Sequence, residues 1–225
     1  MRLRFIVCVA ALMLATVGTA QGAIITFTGG TVHLIGGGTG TTNNLNLYND
    51  TVDYYVEGDF VFDFVEGYGT VGDYYSIGAG GFVGNDVVHA HWLNLRTMTI
   101  SRVDGLPFDL NYINITSNTE IGGYQSTGNE RSFIATNLGH SMLLPSSDWG
   151  FDFDYGGAPG DGVARLWLDG NFDGVTLVTF TSENAYCFGM DNFYIDEPPP
   201  PAVPEPASLL LLGTGLLGLA RKKRR

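Results

Sequence analysis

Between residues 24 and 197 no window of ten or more residues keeps a 3.6-residue apolar period. Short β-branched and aromatic runs recur instead, divided by Gly, Asn and Asp, with only Pro107, Pro145 and Pro159 in the whole stretch. A chain written this way has no apolar helical stripe to bury; it has to pair strands. The expected strands are 24–28, 32–35, 52–56, 60–65, 74–77, 90–95, 97–103, 108–115, 131–136, 149–153, 163–168, 175–181 and 188–195. Strands at such spacing favour a two-sheet sandwich or a barrel. The Gly-rich segment 36–46 reads as a small polar loop.

Two apolar segments bracket this body. At the start, Arg2 and Arg4 precede an uncharged run, residues 5–17, followed by Gly18-Thr19-Ala20. A basic lead, a run too short for a comfortable span and small residues after it predict a secretory signal peptide over 1–20. The cut is expected after Ala20, with Gly22 as an alternative site, so the chain is expected to meet the Sec translocon and signal peptidase. Cys8 lies inside the apolar run with no small-residue site before it, which argues against a lipoprotein.

At the other end, four prolines (198–201) should form a stiff polyproline II spacer of about 3 Å per residue. Val203-Pro204-Glu205-Pro206 continues it as an extended tetrapeptide, because each proline fixes φ and biases its predecessor away from helix. Residues 207–220 carry no charge and seven leucines, and Arg221, Lys222, Lys223, Arg224 and Arg225 follow. As a helix the apolar run spans about 21 Å against a hydrocarbon core of about 30 Å. The basic cluster can snorkel to the interface and hold its end in the cytoplasm. The expectation is a short C-terminal transmembrane helix that anchors weakly, over 207–225, behind a spacer over 198–206.

This tail resembles the PEP-CTERM sorting signal of bacterial surface proteins, in Pro204-Glu205-Pro206, the short apolar helix and the arginine-rich end. The resemblance implies an exosortase as partner, processing at or near Pro-Glu-Pro, and a host with an outer membrane and an exopolysaccharide programme. It implies a precursor anchored in the inner membrane and a product on the cell surface or in the extracellular, biofilm-type matrix.

The expected exported body is then 21–197. It keeps four arginines (Arg96, Arg102, Arg131, Arg165) and no lysine against twenty-two acids, a formal balance of −18, more acidic than the whole chain at −12. A surface this acidic repels nucleic acid and anionic lipid. Cys187 is the only cysteine left in the body, so an intramolecular disulfide is excluded, and its apolar surroundings read as those of a buried thiol.

Several side-chain patterns could carry chemistry. Asp169-Gly170-Asn171-Phe172-Asp173-Gly174 fits the opening of a calcium loop, with Asp169, Asn171 and Asp173 as Ca2+ ligands, but position twelve is Phe180 and the stretch is equally an ordinary turn. Asp152, Asp154 and Asp161 share that ambiguity. His89-Ala90-His91 would set two imidazoles on one strand face, with no third zinc ligand at a telling spacing. Ser141 and Ser147 lack a nucleophile elbow, and the Gly-rich 36–40 lacks the lysine of a phosphate loop. Aromatic rings could stack on sugars. Trp149 and Trp167 lie in strand-like runs and read as core, whereas Tyr54, Tyr55, Tyr74 and Tyr75 are the expected exposed platforms, because adjacent tyrosines face opposite sides of a strand.

A second resemblance covers about half the body. Residues 97–110, with Arg102-Val103-Asp104-Gly105-Leu106-Pro107-Phe108-Asp109-Leu110, then residues 167–180, with Gly170-Asn171-Phe172-Asp173-Gly174-Val175-Thr176, then residues 188–195, with Gly189-Met190-Asp191-Asn192-Phe193-Tyr194-Ile195, follow the order seen in jelly-roll ectodomains of PEP-CTERM proteins. It implies an all-β, jelly-roll-type two-sheet sandwich, similar to galactose-binding and carbohydrate-binding-module folds. The expected function is that of a non-catalytic exported surface or matrix protein, associated with exopolysaccharide and binding glycan. A secreted polysaccharide-acting enzyme and a purely structural surface protein are the alternatives. Replacing Pro204, Glu205 and Pro206 with alanine should leave a full-length, membrane-bound precursor. Intact-mass measurement of the protein from its native host checks this, and a mature wild-type product still ending in Arg225 would contradict it.

Overall fold

A computed structural model of the protein describes residues 22–42, 52–67, 69–72, 86–91, 95–121, 126–148 and 164–196. The expected signal peptide, spacer and apolar tail lie outside these residues. So do Tyr74, Tyr75, Trp92, Trp149, Asp152, Asp154, Asp161 and the expected strands 74–77 and 149–153. No helix among the described residues is long and apolar enough to cross a membrane.

The described residues form fourteen strands: β1 (Ala23–Ile25), β2 (Thr31–Leu34), β3 (Thr39–Thr41), β4 (Val52–Glu57), β5 (Phe60–Gly67), β6 (Thr70–Gly72), β7 (Val87–His91), β8 (Leu95–Arg102), β9 (Leu110–Thr119), β10 (Ser132–Thr136), β11 (Ser141–Leu143), β12 (Ala164–Trp167), β13 (Val178–Ser182) and β14 (Cys187–Ile195). The pairings are antiparallel and build two sheets. One has eight strands in the order β11-β10-β13-β8-β5-β4-β2-β3. The other has six, β12-β9-β14-β7-β6, with β1 added beside β14. The expected all-β architecture of two sheets is what the chain adopts, and the jelly-roll expectation is consistent with it. Three short strands, β3, β6 and β11, were not expected. β3 lies in the Gly-rich segment read as a loop: Gly36, Gly37 and Gly38 take positive φ and close a hairpin of β2 onto β3.

The inner faces meet over a core of Phe, Ile, Val and Met. Phe193 of β14 sits at its centre, packed edge-on against Phe27 (5.7 Å between centroids), Phe62 (5.2 Å) and Phe180 (5.8 Å). Phe193 faces inward only because β14 bulges. Asp191 is paired with Asn114 and Tyr194 with Tyr112, so three steps on β14 match two on β9. Asn192 is the extra residue, in the left-handed region at φ 48. Asn tolerates that conformation, and the Asp191 carboxylate accepts hydrogen bonds from its backbone N–H (2.7 Å) and side-chain amide (2.8 Å). This is the structural content of the Asp191-Asn192 pair.

Tyr55 departs from expectation. The alternation holds, but it sends Tyr55 into the core, fully buried, while Tyr54 faces outward and stacks on His33 at 4.1 Å. The Tyr55 hydroxyl accepts from Gly30 N–H (3.1 Å) and donates to Glu57 Oε2 (2.7 Å), bracing the corner between β1 and β2. Burial, then the Glu57 carboxylate, push its ionisation well above the ordinary phenol range. Tyr55 cannot be a sugar platform.

The three sequence stretches of the second resemblance converge at one end. The Arg102 guanidinium donates to both carboxylate oxygens of Asp104 (2.9 and 2.7 Å), lies within 3.7 Å of Asp59 and 3.8 Å of Asp196, and covers the Phe60 ring. Asp109 and Asp196 exchange hydrogen bonds of 2.8 and 2.9 Å, and Gly174 N–H donates to Asp109 Oδ1. Arg102 ends a strand of the eight-stranded sheet and Asp196 follows β14 of the other, so the cluster ties the sheets together.

At the opposite end Glu130, 2 % exposed, accepts from Glu120 N–H, Thr127 N–H and Ser146 Oγ. Burial alone would raise its pKa; these donors, Ser146 foremost, override that and hold it at about 2 against an ordinary 4.5. A depressed carboxylate contributes stability above its unfolded pKa and loses it as pH falls through the folded one. Stability should therefore drop between about pH 4.5 and pH 2. Glu130→Gln should cost about 1–3 kcal/mol at neutral pH and progressively less below pH 4.5. Urea melts of both proteins across that range check the sign.

Candidate functional site

The outward face of the six-stranded sheet is unlike an ordinary solvated sheet face. Opposite the core residues Ile25, Phe193, Ile113 and Leu166 stand Ile24, Tyr194, Tyr112 and Trp167. Registers place these four in one row across β1, β14, β9 and β12: Ile24 opposite Tyr194, Tyr194 opposite Tyr112, Tyr112 opposite Trp167. The Tyr112 and Trp167 rings lie 4.4 Å apart at 42°, and Tyr112 meets Tyr194 edge-on at 5.0 Å. Trp167 is 60 % exposed and Ile24 47 %, Tyr194 is half-buried, and Tyr112 lies between its neighbours at 7 %. Trp167 thus corrects its reading as core: β12 ends the sheet, and alternation puts Leu166, not Trp167, against the interior.

Two bulges aim this row. A shift between Tyr194 and Ile195 leaves Asn111 as the extra residue of β9, so Leu110 and Ile113 both reach the core while Tyr112 turns out. The Asn192 bulge does the same for Phe193 and Tyr194.

Beside the aromatic row the face turns polar and stays buried. Asn114 and Asp191 are the next pair, 6 % and 0 % exposed. The Tyr112 hydroxyl donates to Asn114 Oδ1 at 2.6 Å. Next come Thr70, His89, Gly189 and Ser117 in register across β6, β7, β14 and β9. His89 Nδ1 lies 3.2 Å from Ser117 Oγ, and the two side chains meet over Gly189, where a Cβ would collide with His89, Thr116 and Ser117. Burial holds the His89 pKa down at about 3, so its imidazole is neutral. Thr70 and Thr116 each bury a hydroxyl that has no partner among the described residues. Cys187 follows on the same face, buried, paired in register with His91 and Thr119. Of the expected histidine pair, His89 lies on this face and is buried.

The Asp169–Gly174 stretch lies elsewhere. It folds as a 3-10 turn, Gly170–Phe172, that plugs Phe172 into the core. Asp169 caps it by accepting from Asn171 N–H at 3.0 Å. Burial, and then the neighbouring Asp109 and Asp169, raise the Asp173 pKa. Among the described residues no three acidic, His or Cys side chains are grouped to hold a metal ion.

The fold and this face define an all-β sandwich with an aromatic strip on one outer sheet surface. Residues 202–225 match the family of the PEP-CTERM protein-sorting motif. That motif indicates an exosortase-sorted protein of the cell surface or extracellular space. No curated protein and no solved structure matches it.

The close packing over Gly189 and the openness of Trp167 predict opposite mutational outcomes. Gly189→Ala should destabilise by about 1–3 kcal/mol, because His89 and two hydroxyl side chains must shift. Trp167→Ala should change stability by less than about 1 kcal/mol. Denaturant unfolding of the two variants checks both.

Proposed function

We propose that this is a non-catalytic, glycan-binding protein of the cell surface or exopolysaccharide matrix, with its binding surface on the outer face of the six-stranded sheet. The supporting observation is the row Ile24-Tyr194-Tyr112-Trp167, bordered by Asn114 and Asp191. Sugar rings present a C–H face that packs on an aromatic plane and a rim of hydroxyls that need directional partners. A row of rings with the Asn114 amide at its edge answers both needs. In this reading the signal peptide exports the chain, the apolar tail holds an inner-membrane precursor, and the proline spacer presents Pro204-Glu205-Pro206 for processing. The sandwich belongs with the jelly-roll, carbohydrate-binding-module type.

Stacking contributes about 0.5–1.5 kcal/mol per aromatic pair, so short sugars should bind nearer millimolar than nanomolar. Retention then comes from many weak contacts along a polymer. Affinity electrophoresis of the full chain through gels containing neutral polysaccharides, including the host's own matrix polymer, should show retarded migration with no new reducing ends. Release of reducing ends would replace this reading with that of a polysaccharide-acting enzyme. Absence of retardation by every polymer would leave a structural surface protein.

A further inference from the structure

The direction, length and charge of the aromatic row define the polymer more narrowly. This inference rests on the glycan reading and deepens it. The four residues stand one per strand, so the row runs across the strands and not along them. Strands repeat every ~4.8 Å, which makes the row from Trp167 to Ile24 ~14 Å long. A pyranose chain joined through equatorial bonds is flat and extended, and it advances by about one strand spacing per ring. Such a chain laid over the row puts successive C–H faces over Trp167, Tyr112 with Tyr194, and Ile24. A chain with axial linkages coils and leaves the row after one contact.

A hydrogen-bond donor stands beside this path. Tyr112 donates its hydroxyl to Asn114 Oδ1, which orients the amide. Asn114, 6 % exposed, makes no donor bond from Nδ2 among the described residues. The Thr116 hydroxyl, fully buried on the same face, also lacks a described partner. Charge narrows the ligand further. Asp191 stands beside Asn114 on β14, and the expected body as a whole carries −18. Nothing in that balance favours a polyanion.

We propose that the row is a binding strip for about three consecutive rings of a linear, uncharged, equatorially linked polysaccharide lying across the strands, with Asn114 as the hydrogen-bond donor that sets its position. Tyr112 acts through Asn114 as a positioning residue.

The test is calorimetric titration of the full chain with β-1,4-glucan oligomers of increasing length, with α-1,4-glucan oligomers of matched length, and with polygalacturonate. Affinity for the β-1,4 series should rise up to about three rings and then level, and exceed the other two ligands at every length. Trp167→Ala and Tyr194→Ala should each weaken it by about tenfold while the melting temperature holds. Asn114→Asp, which keeps an acceptor for Tyr112 and removes the donor, should weaken it comparably. If Asn114→Asp loses its fold, Tyr112→Phe, which frees the amide to rotate, should weaken binding instead. Binding of a neutral polymer that ignores these substitutions, or a preference for the α-linked or charged ligand, would overturn the strip while leaving glycan binding in place. If no polysaccharide binds at all, the glycan reading fails and the strip with it.

Discussion

One extra residue in the central strand of the smaller sheet sets both the core and the outer face. Strand side chains alternate with period two, so without the bulge at Asn192 the residues beyond it would exchange sides. Phe193 would leave the contact with Phe27, Phe62 and Phe180, and Tyr194 would be driven into the core. The positive φ of Asn192 and its two hydrogen bonds to Asp191 hold the bulge in place. A local backbone feature thereby fixes the inter-sheet packing and the aromatic row together, and neither could be altered without the other.

The two ends of the sandwich use opposite electrostatic solutions. At the end where β14 finishes, Arg102 is surrounded by Asp59, Asp104 and Asp196 around a cavity of about 490 Å³ that Leu106, Phe108 and Asp109 help to line. An exposed ion pair contributes little by itself; the bidentate geometry and the shared guanidinium make this cluster a fastening between sheets. At the other end Glu130 takes no cation among the described residues and is held ionised by hydrogen-bond donors. In a body with four arginines and no lysine, acids that must be buried are satisfied by N–H and O–H groups.

The outer face of the smaller sheet has two parts. Thr70, His89, Ser117, Thr116 and Cys187 are buried there, and Gly189 is required so that His89 and Ser117 can meet. The aromatic row beside them is open at Trp167 and Ile24. Close-packed polar groups give that face a defined shape, and the rings beside them stay open.

The amino-acid sequence by itself determined the strand-rich class, because period-two runs punctuated by Gly, Asn and Asp leave no helical alternative. It determined the sorting signal, because Pro204-Glu205-Pro206, an apolar run and a basic end act through local composition and order. Most strand positions followed from the same local pattern; β3, β6 and β11 did not, since a three-residue strand such as Thr39–Thr41 holds only through its partner. Tertiary structure alone decided the site. Tyr112, Tyr194 and Trp167 are each adjacent in sequence to a core residue, and nothing local says which neighbour turns inward. That choice depends on bulges at Asn111 and Asn192 and on cross-strand registers between residues up to about a hundred and seventy positions apart, such as Ile24 and Tyr194. The same dependence sent Tyr55 to the core and Trp167 to the surface, against the expectation for each: alternation tells that two neighbours part, and only the facing sheet tells which of them is buried.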